Sequence, residues 1–193
     1  PTPEMGIHGI IEFTNRTLTF VLVAIAVATI VAVWGARKSH PTIFWLSWAL
    51  LAIIPVQAVI GGITVWTGLN PWVVSLHFIA SAALVCMATL LVNRTGLAVK
   101  PTAGGISGGP VPSTLRMLSW AILILSGIAV ILGTIVTGTG PHAGDPDSPR
   151  HAFNADLVTR IHVVPVYLLI AATVVALFLA VRRGAPAPLR TAL

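Results

Sequence analysis

The chain has 193 residues, of which 56% are hydrophobic and only 8% charged, against roughly one-quarter charged residues in soluble domains. That balance excludes a water-soluble fold. A formal charge of +6 does not point to nucleic acid, because the basic residues punctuate apolar runs instead of gathering on a polar face.

Apolar stretches of the ~20 residues that cross a ~30 Å hydrocarbon core run in chain order at about 11–35, 43–66, 72–92, 117–137 and 158–181. They predict an all-α, polytopic transmembrane helix bundle of five spans, in a single membrane domain over residues 1–193. Arg37, Lys38 and Pro41 end the first hairpin, and Gly68-Leu69-Asn70-Pro71 turns the second. Residues 95–115, rich in Gly, Pro and Ser, form a linker, and 138–156 a long polar loop.

Orientation follows from Lys and Arg, which are retained on the cytoplasmic side. Arg37, Lys38, Arg94, Lys100, Arg116, Arg182, Arg183 and Arg190 share one side of the predicted topology, and Glu4, Glu12, Asp145, Asp147 and Asp156 share the other. The N-terminus and the 138–156 loop are expected outside, the linker and the C-terminus in the cytoplasm. The opening Pro1-Thr2-Pro3-Glu4 lacks Met and the basic n-region of a signal peptide. The lone Cys86 can form no disulfide within the chain and, inside an apolar run, reads as a buried thiol.

Depth along each span can be counted at 1.5 Å per residue. His77 lies 17 residues before Arg94, His162 lies 20 before Arg182 and Asn15 lies 22 before Arg37, which puts each roughly 25–33 Å from its cytoplasmic anchor. All three are expected near the outer ends of spans one, three and five, which run in the same direction and can converge. A histidine within a span is costly and so points to a functional site, and imidazole is the usual axial ligand of heme iron; the alternative is a histidine hydrogen-bonded between helices or simply at the membrane interface.

Glu12 and Asn15, at i and i+3, share a helix face within Glu12-Phe13-Thr14-Asn15-Arg16. The acid serves as a proton donor, a charge stabiliser or an interfacial cap. Arg16 and Arg160 depart from the charge pattern, and either pair with anionic groups such as heme propionates or snorkel to lipid phosphate. His8, His40, His142 and His151 read as solvated or loop-structuring, and of these His8 and His142 fall close enough to the outer rim to contact a ligand. Trp34, Trp66, Trp72 and Trp120 mark membrane interfaces. The first and last spans share an outer polar cluster, an apolar run and a basic stop at similar spacing, aligning Asn15 with His162 and suggesting a duplicated bundle.

Three segments in order, Ile11-Glu12-Phe13-Thr14-Asn15-Arg16, Gly61-Gly62-Ile63-Thr64-Val65-Trp66-Thr67-Gly68-Leu69 with Pro71 and His77, and Gly133-Thr134-Ile135-Val136-Thr137-Gly138 with Gly140-Pro141-His142-Ala143-Gly144-Asp145, resemble heme A synthase. The asparagine in the first motif is similar to the actinobacterial branch of that family. The resemblance implies a pseudo-symmetric fold of eight helices, with this chain's spans matching family helices two to six and helices one, seven and eight absent. It also implies an oxidoreductase of the bacterial plasma membrane that converts heme O to heme A for terminal oxidase assembly, with heme b as electron carrier. Heme O synthase, an electron donor and membrane lipid would be its partners. Glu12 matches the family's first-half glutamate, Asn15 a position that is often histidine, His77 the first-half histidine and His162 a ligand of the second-half heme b. An amide is a poor iron ligand, so His77 alone would hold the first-half heme. The other functions considered are a non-catalytic heme b membrane cytochrome and a membrane transporter, for which midplane charges and broken helices would be expected.

Overall fold

The computed structural model describes residues 6–99, 112–140 and 147–182, apart from the side chains of residues 6–8, 12 and 97–99. Five helices follow one another: α1 over Gly6–Val33, α2 over Pro41–Trp66, α3 over Pro71–Val99, α4 over Ser113–Thr139 and α5 over Ala155–Arg182. A 3₁₀ turn at Trp34–Ala36 closes α1, and no strand occurs among the described residues. All five helices are long and apolar enough to cross a membrane, as the five apolar runs predict.

Local chemistry sets where the helices begin. Pro41 opens α2, where its missing N–H is no loss and its fixed φ suits the first turn. At the start of α3, Asn70 accepts the Trp72 N–H on its side-chain oxygen at 3.0 Å, and at the start of α5, Asn154 accepts the Leu157 N–H at 2.9 Å; both satisfy donors that a helix leaves unpaired. Between α2 and α3, Gly68 and Leu69 have φ of 61° and 62°, a left-handed pair that glycine takes without strain and leucine does not.

Hydropathy marks where a chain leaves hydrocarbon and not where its helix stops. Thus α3 continues past the apolar run's end at about 92, through Asn93 and Arg94 to Val99, with the Thr95 hydroxyl donating to the Leu91 carbonyl at 2.7 Å. Within the spans, hydroxyls are satisfied the same way: Ser47 donates to Ile43 at 2.9 Å and Thr173 to Leu169 at 2.8 Å. Such bonds to the preceding turn pair these hydroxyls in a medium without water. Pro55 and Pro165 lie inside α2 and α5, and both helices continue through them although each proline removes one ladder donor.

The helices belong to two compact units. One takes in the chain up to Thr67 and from Leu76 to Pro101; the other takes in Gly68–Ser75 and the chain from Thr102 onward. In the first, α1 packs on α2 and Ser47 is the most enclosed side chain, 1% exposed. A small hydroxyl there lets helix backbones approach, the usual device where lipid removes the hydrophobic drive for helices to associate. In the second, α4 packs on α5, with Leu115 and Ala180 buried together and Leu179 against them. Large apolar side chains such as Phe20, Val31, Val92 and Tyr167 are exposed, which suits lipid and not water. Cys86 is also exposed, in contrast to the buried thiol expected from its apolar neighbours, because a membrane helix carries apolar residues on its lipid face as well.

Candidate functional site

In the first unit, α2 and α3 meet through two residue pairs, each one helical turn apart. Gln57 and Gly61 lie on one face of α2, His77 and Ser81 on one face of α3, at the i, i+4 spacing that stacks side chains. The Gln57 side-chain amide donates to the Ser81 hydroxyl at 2.8 Å and to the His77 carbonyl at 3.4 Å. Ser81 passes its own proton to that carbonyl at 2.9 Å. Gly61 faces the imidazole, and a β-carbon there would stand 3.3 Å from Cε1 of His77. Nδ1 of His77 and Oε1 of Gln57 are both buried without a hydrogen-bond partner.

The second unit repeats the contact on α4 and α5. A β-carbon at Gly133 would stand 3.3 Å from Cε1 of His162, and Nδ1 of His162 is likewise buried without a partner. The two glycines open the same pattern, Gly-x-Ile-x-x-x-Thr-Gly, at Gly61, Ile63, Thr67 and Gly68 and at Gly133, Ile135, Thr139 and Gly140. Each histidine is therefore held edge-on against a helix backbone that offers no side chain.

These settings fit a heme ligand. A buried Nδ1 cannot reach an iron outside the helix pair, so coordination would fall to Nε2, with Nδ1 carrying the proton as a donor in search of an acceptor. Among the described residues, no three His, Cys, Asp or Glu side chains gather as a cage for a bare ion.

The remaining predicted residues are placed as follows. Asn15 and Arg16 are exposed on α1, and the Asn15 carbonyl accepts the Thr19 hydroxyl at 3.2 Å. His8 and Glu12 are on the same helix, with side chains outside the described atoms, and His142 lies outside the described residues. Arg160 is exposed on α5; standing two positions before His162, it leaves the helix in another direction.

Residues that sequence reasoning passed over complete the picture. Gln57 is a polar side chain within an apolar span, which is itself a functional signal, but its partner on α3 is invisible until the helices are paired. Gly61 and Gly133 fall inside quoted motifs without an assigned task. His151, read as solvated or loop-structuring, is only 7% exposed. Its ring lies 4.3 Å from that of Trp72 and 5.5 Å from that of Phe153, and its backbone N–H donates to the Gly138 carbonyl at 2.9 Å. Burial holds its pKa below the usual 6.5, because desolvation disfavours the charged imidazolium.

Comparison with known proteins adds one finding. The family model COX15-CtaA, described as cytochrome oxidase assembly protein, matches residues 4–147. The matched stretch holds Glu12, Asn15, His77 and Gly133 and ends before His162. No curated protein and no solved structure matches the chain.

Proposed function

The chain belongs to the COX15-CtaA family of cytochrome oxidase assembly proteins, the heme A synthase family, and from that premise we propose that it is an oxidoreductase converting heme O to heme A. The reaction oxidises one ring methyl of the substrate, in successive steps, to a formyl group. The observation that carries this reading is the repeated pairing of His77 with Gly61 and His162 with Gly133, each with Nδ1 enclosed. A bound heme b would supply one-electron chemistry.

The chain's own residues hold and orient. His77 and His162 would hold heme iron through Nε2, and Gly61 and Gly133 set how closely each imidazole approaches its neighbouring helix. Glu12, one turn from the Asn15–Arg16 pair, stabilises charge or moves a proton at the substrate methyl. An amide is a poor iron ligand, so Asn15 would leave His77 alone to hold the first-half heme. Arg16 and His8 in the first unit, and Arg160 and His142 in the second, would contact the periphery of a heme held in their own unit, where guanidinium suits propionate.

The same reading places the protein in the bacterial plasma membrane as a multi-pass chain, N-terminus outside. The supporting pattern is that Arg37, Lys38, Arg94, Arg116 and Arg182 all fall at α1, α2, α3, α4 and α5 ends that a chain crossing five times would bring to one side. An electron donor and heme O synthase would be its partners.

The test is to purify the full chain in detergent, take a reduced-minus-oxidised spectrum, and extract any heme for identification by chromatography and mass. Heme b together with heme O or heme A supports the synthase. Heme b alone, with no conversion of added heme O, makes it a membrane cytochrome.

A further inference from the structure

The two histidines share a glycine neighbour and differ in what lies one turn away. Beside His77 that turn carries Gln57 on α2 and Ser81 on α3. In the second unit, the position four before Gly133 is Ala129 and the position four after His162 is Val166. Neither can hydrogen-bond through its side chain.

The chemistry of Ser81 decides which way the Gln57 amide faces. A hydroxyl has one proton, and Ser81 gives it to the His77 carbonyl. It must therefore accept from Gln57, which assigns Nε2 to the Ser81 side and makes Oε1 the free end. That oxygen is buried without a donor, and Nδ1 of the histidine whose carbonyl is tied to the same amide is buried without an acceptor. An unsatisfied buried polar group is costly, so two complementary ones at one helix crossing call for a shared answer. An imidazole bound to iron through Nε2 has its proton on Nδ1 and becomes an obligatory donor.

We infer that Gln57, pinned by Ser81, is the positioning residue of His77: its Oε1 takes the Nδ1–H when the imidazole binds heme iron. His162 has no such partner on α4 or α5 at the equivalent turn. The two ligands are thus inequivalent. An acceptor on Nδ1 makes the His77 imidazole the more electron-donating and lowers the potential of its iron.

This rests on the heme reading, and the experiment separates the two. The full chain is purified, loaded with hemin and titrated potentiometrically as wild type, H77A, Q57L and Q57E, with the ferrous iron–histidine stretch read by resonance Raman. H77A is expected to lose one heme wave. Q57L is expected to raise the potential of that wave and lower the stretching frequency, while Q57E, which keeps an acceptor oxygen, stays at or below the wild-type potential; the other wave does not move. A purely structural role would shift Q57L and Q57E the same way, and that result, or no shift in either, overturns the assignment of Gln57 while leaving the heme reading intact. Equal heme waves in H77A and wild type overturn both.

Discussion

Gly133 and His162 stand in a contact that only a glycine permits without adjustment: a β-carbon at Gly133 would come 3.3 Å from Cε1 of the imidazole. Gly61 and His77 repeat the relation at the same 3.3 Å. Adding a methyl to either glycine obliges the ring to give by a few tenths of an ångström, and an imidazole that must meet an iron has little freedom to do so. Gly133→Ala and Gly61→Ala should each reduce heme bound per protein at their own histidine by roughly tenfold in affinity, about 1.4 kcal/mol, with helix content unchanged. Pyridine hemochrome assay beside far-ultraviolet circular dichroism would check this, and full heme occupancy in both variants would show that the rings are not ligands or that they tolerate displacement.

Glu12 is the residue on which the proposed chemistry leans hardest. Removing a group that moves a proton or stabilises charge in a reaction of this kind costs on the order of 10²–10⁴-fold in rate. Glu12→Ala should lose heme A formation by that order while retaining heme b. Heme extracts resolved by mass would decide it, since normal heme A yield removes Glu12 from the mechanism.

A harder steric limit holds at Gly138. A β-carbon there would lie 2.7 Å from both Cδ2 and Nε2 of His151 and 2.9 Å from Cβ of Pro71, distances that real contacts do not reach. Both obstructing groups, the His151 imidazole and the Pro71 pyrrolidine, are rings with little room to rotate away. Gly138→Ala is expected to destabilise the second unit by about 1–3 kcal/mol, the usual cost of overpacking, and to make the 138–156 segment more sensitive to protease. An unchanged cleavage rate would mean the His151 ring moves freely.

His151 also predicts a pH dependence. Burial lowers its pKa from 6.5, so between that lowered value and 6.5 the unfolded segment binds the proton and the packed one does not. The neutral ring's contribution is therefore complete above about pH 6.5 and is lost progressively as pH falls through and below it. Hydrogen exchange over residues 147–156 should quicken on acidification in the wild type, and His151→Phe, which keeps an aromatic ring against Trp72, should flatten that response. The same acid sensitivity in the variant would assign it to another group.

The amino-acid sequence by itself determined the five spans, the turns at Gly68-Leu69-Asn70-Pro71 and before Pro41, and the two histidines worth attention, because length of apolar run, turn chemistry and the cost of a histidine in lipid are all local properties. It could not say which side of α2 faces α3. In a water-soluble helix the apolar stripe names the buried face, but α2 and α3 are apolar almost all the way round, and lipid accepts what a core would. Only the tertiary packing decided that Gly61 meets His77 and Gly133 meets His162, that Gln57 reaches Ser81, that Cys86 is exposed and that His151 is buried beneath Trp72. Those contacts join residues from 13 to 79 positions apart, such as Gly138 with His151 and Trp72 with His151, and where helices are held by small residues and hydrogen bonds instead of a hydrophobic stripe, the pairing itself carries the information.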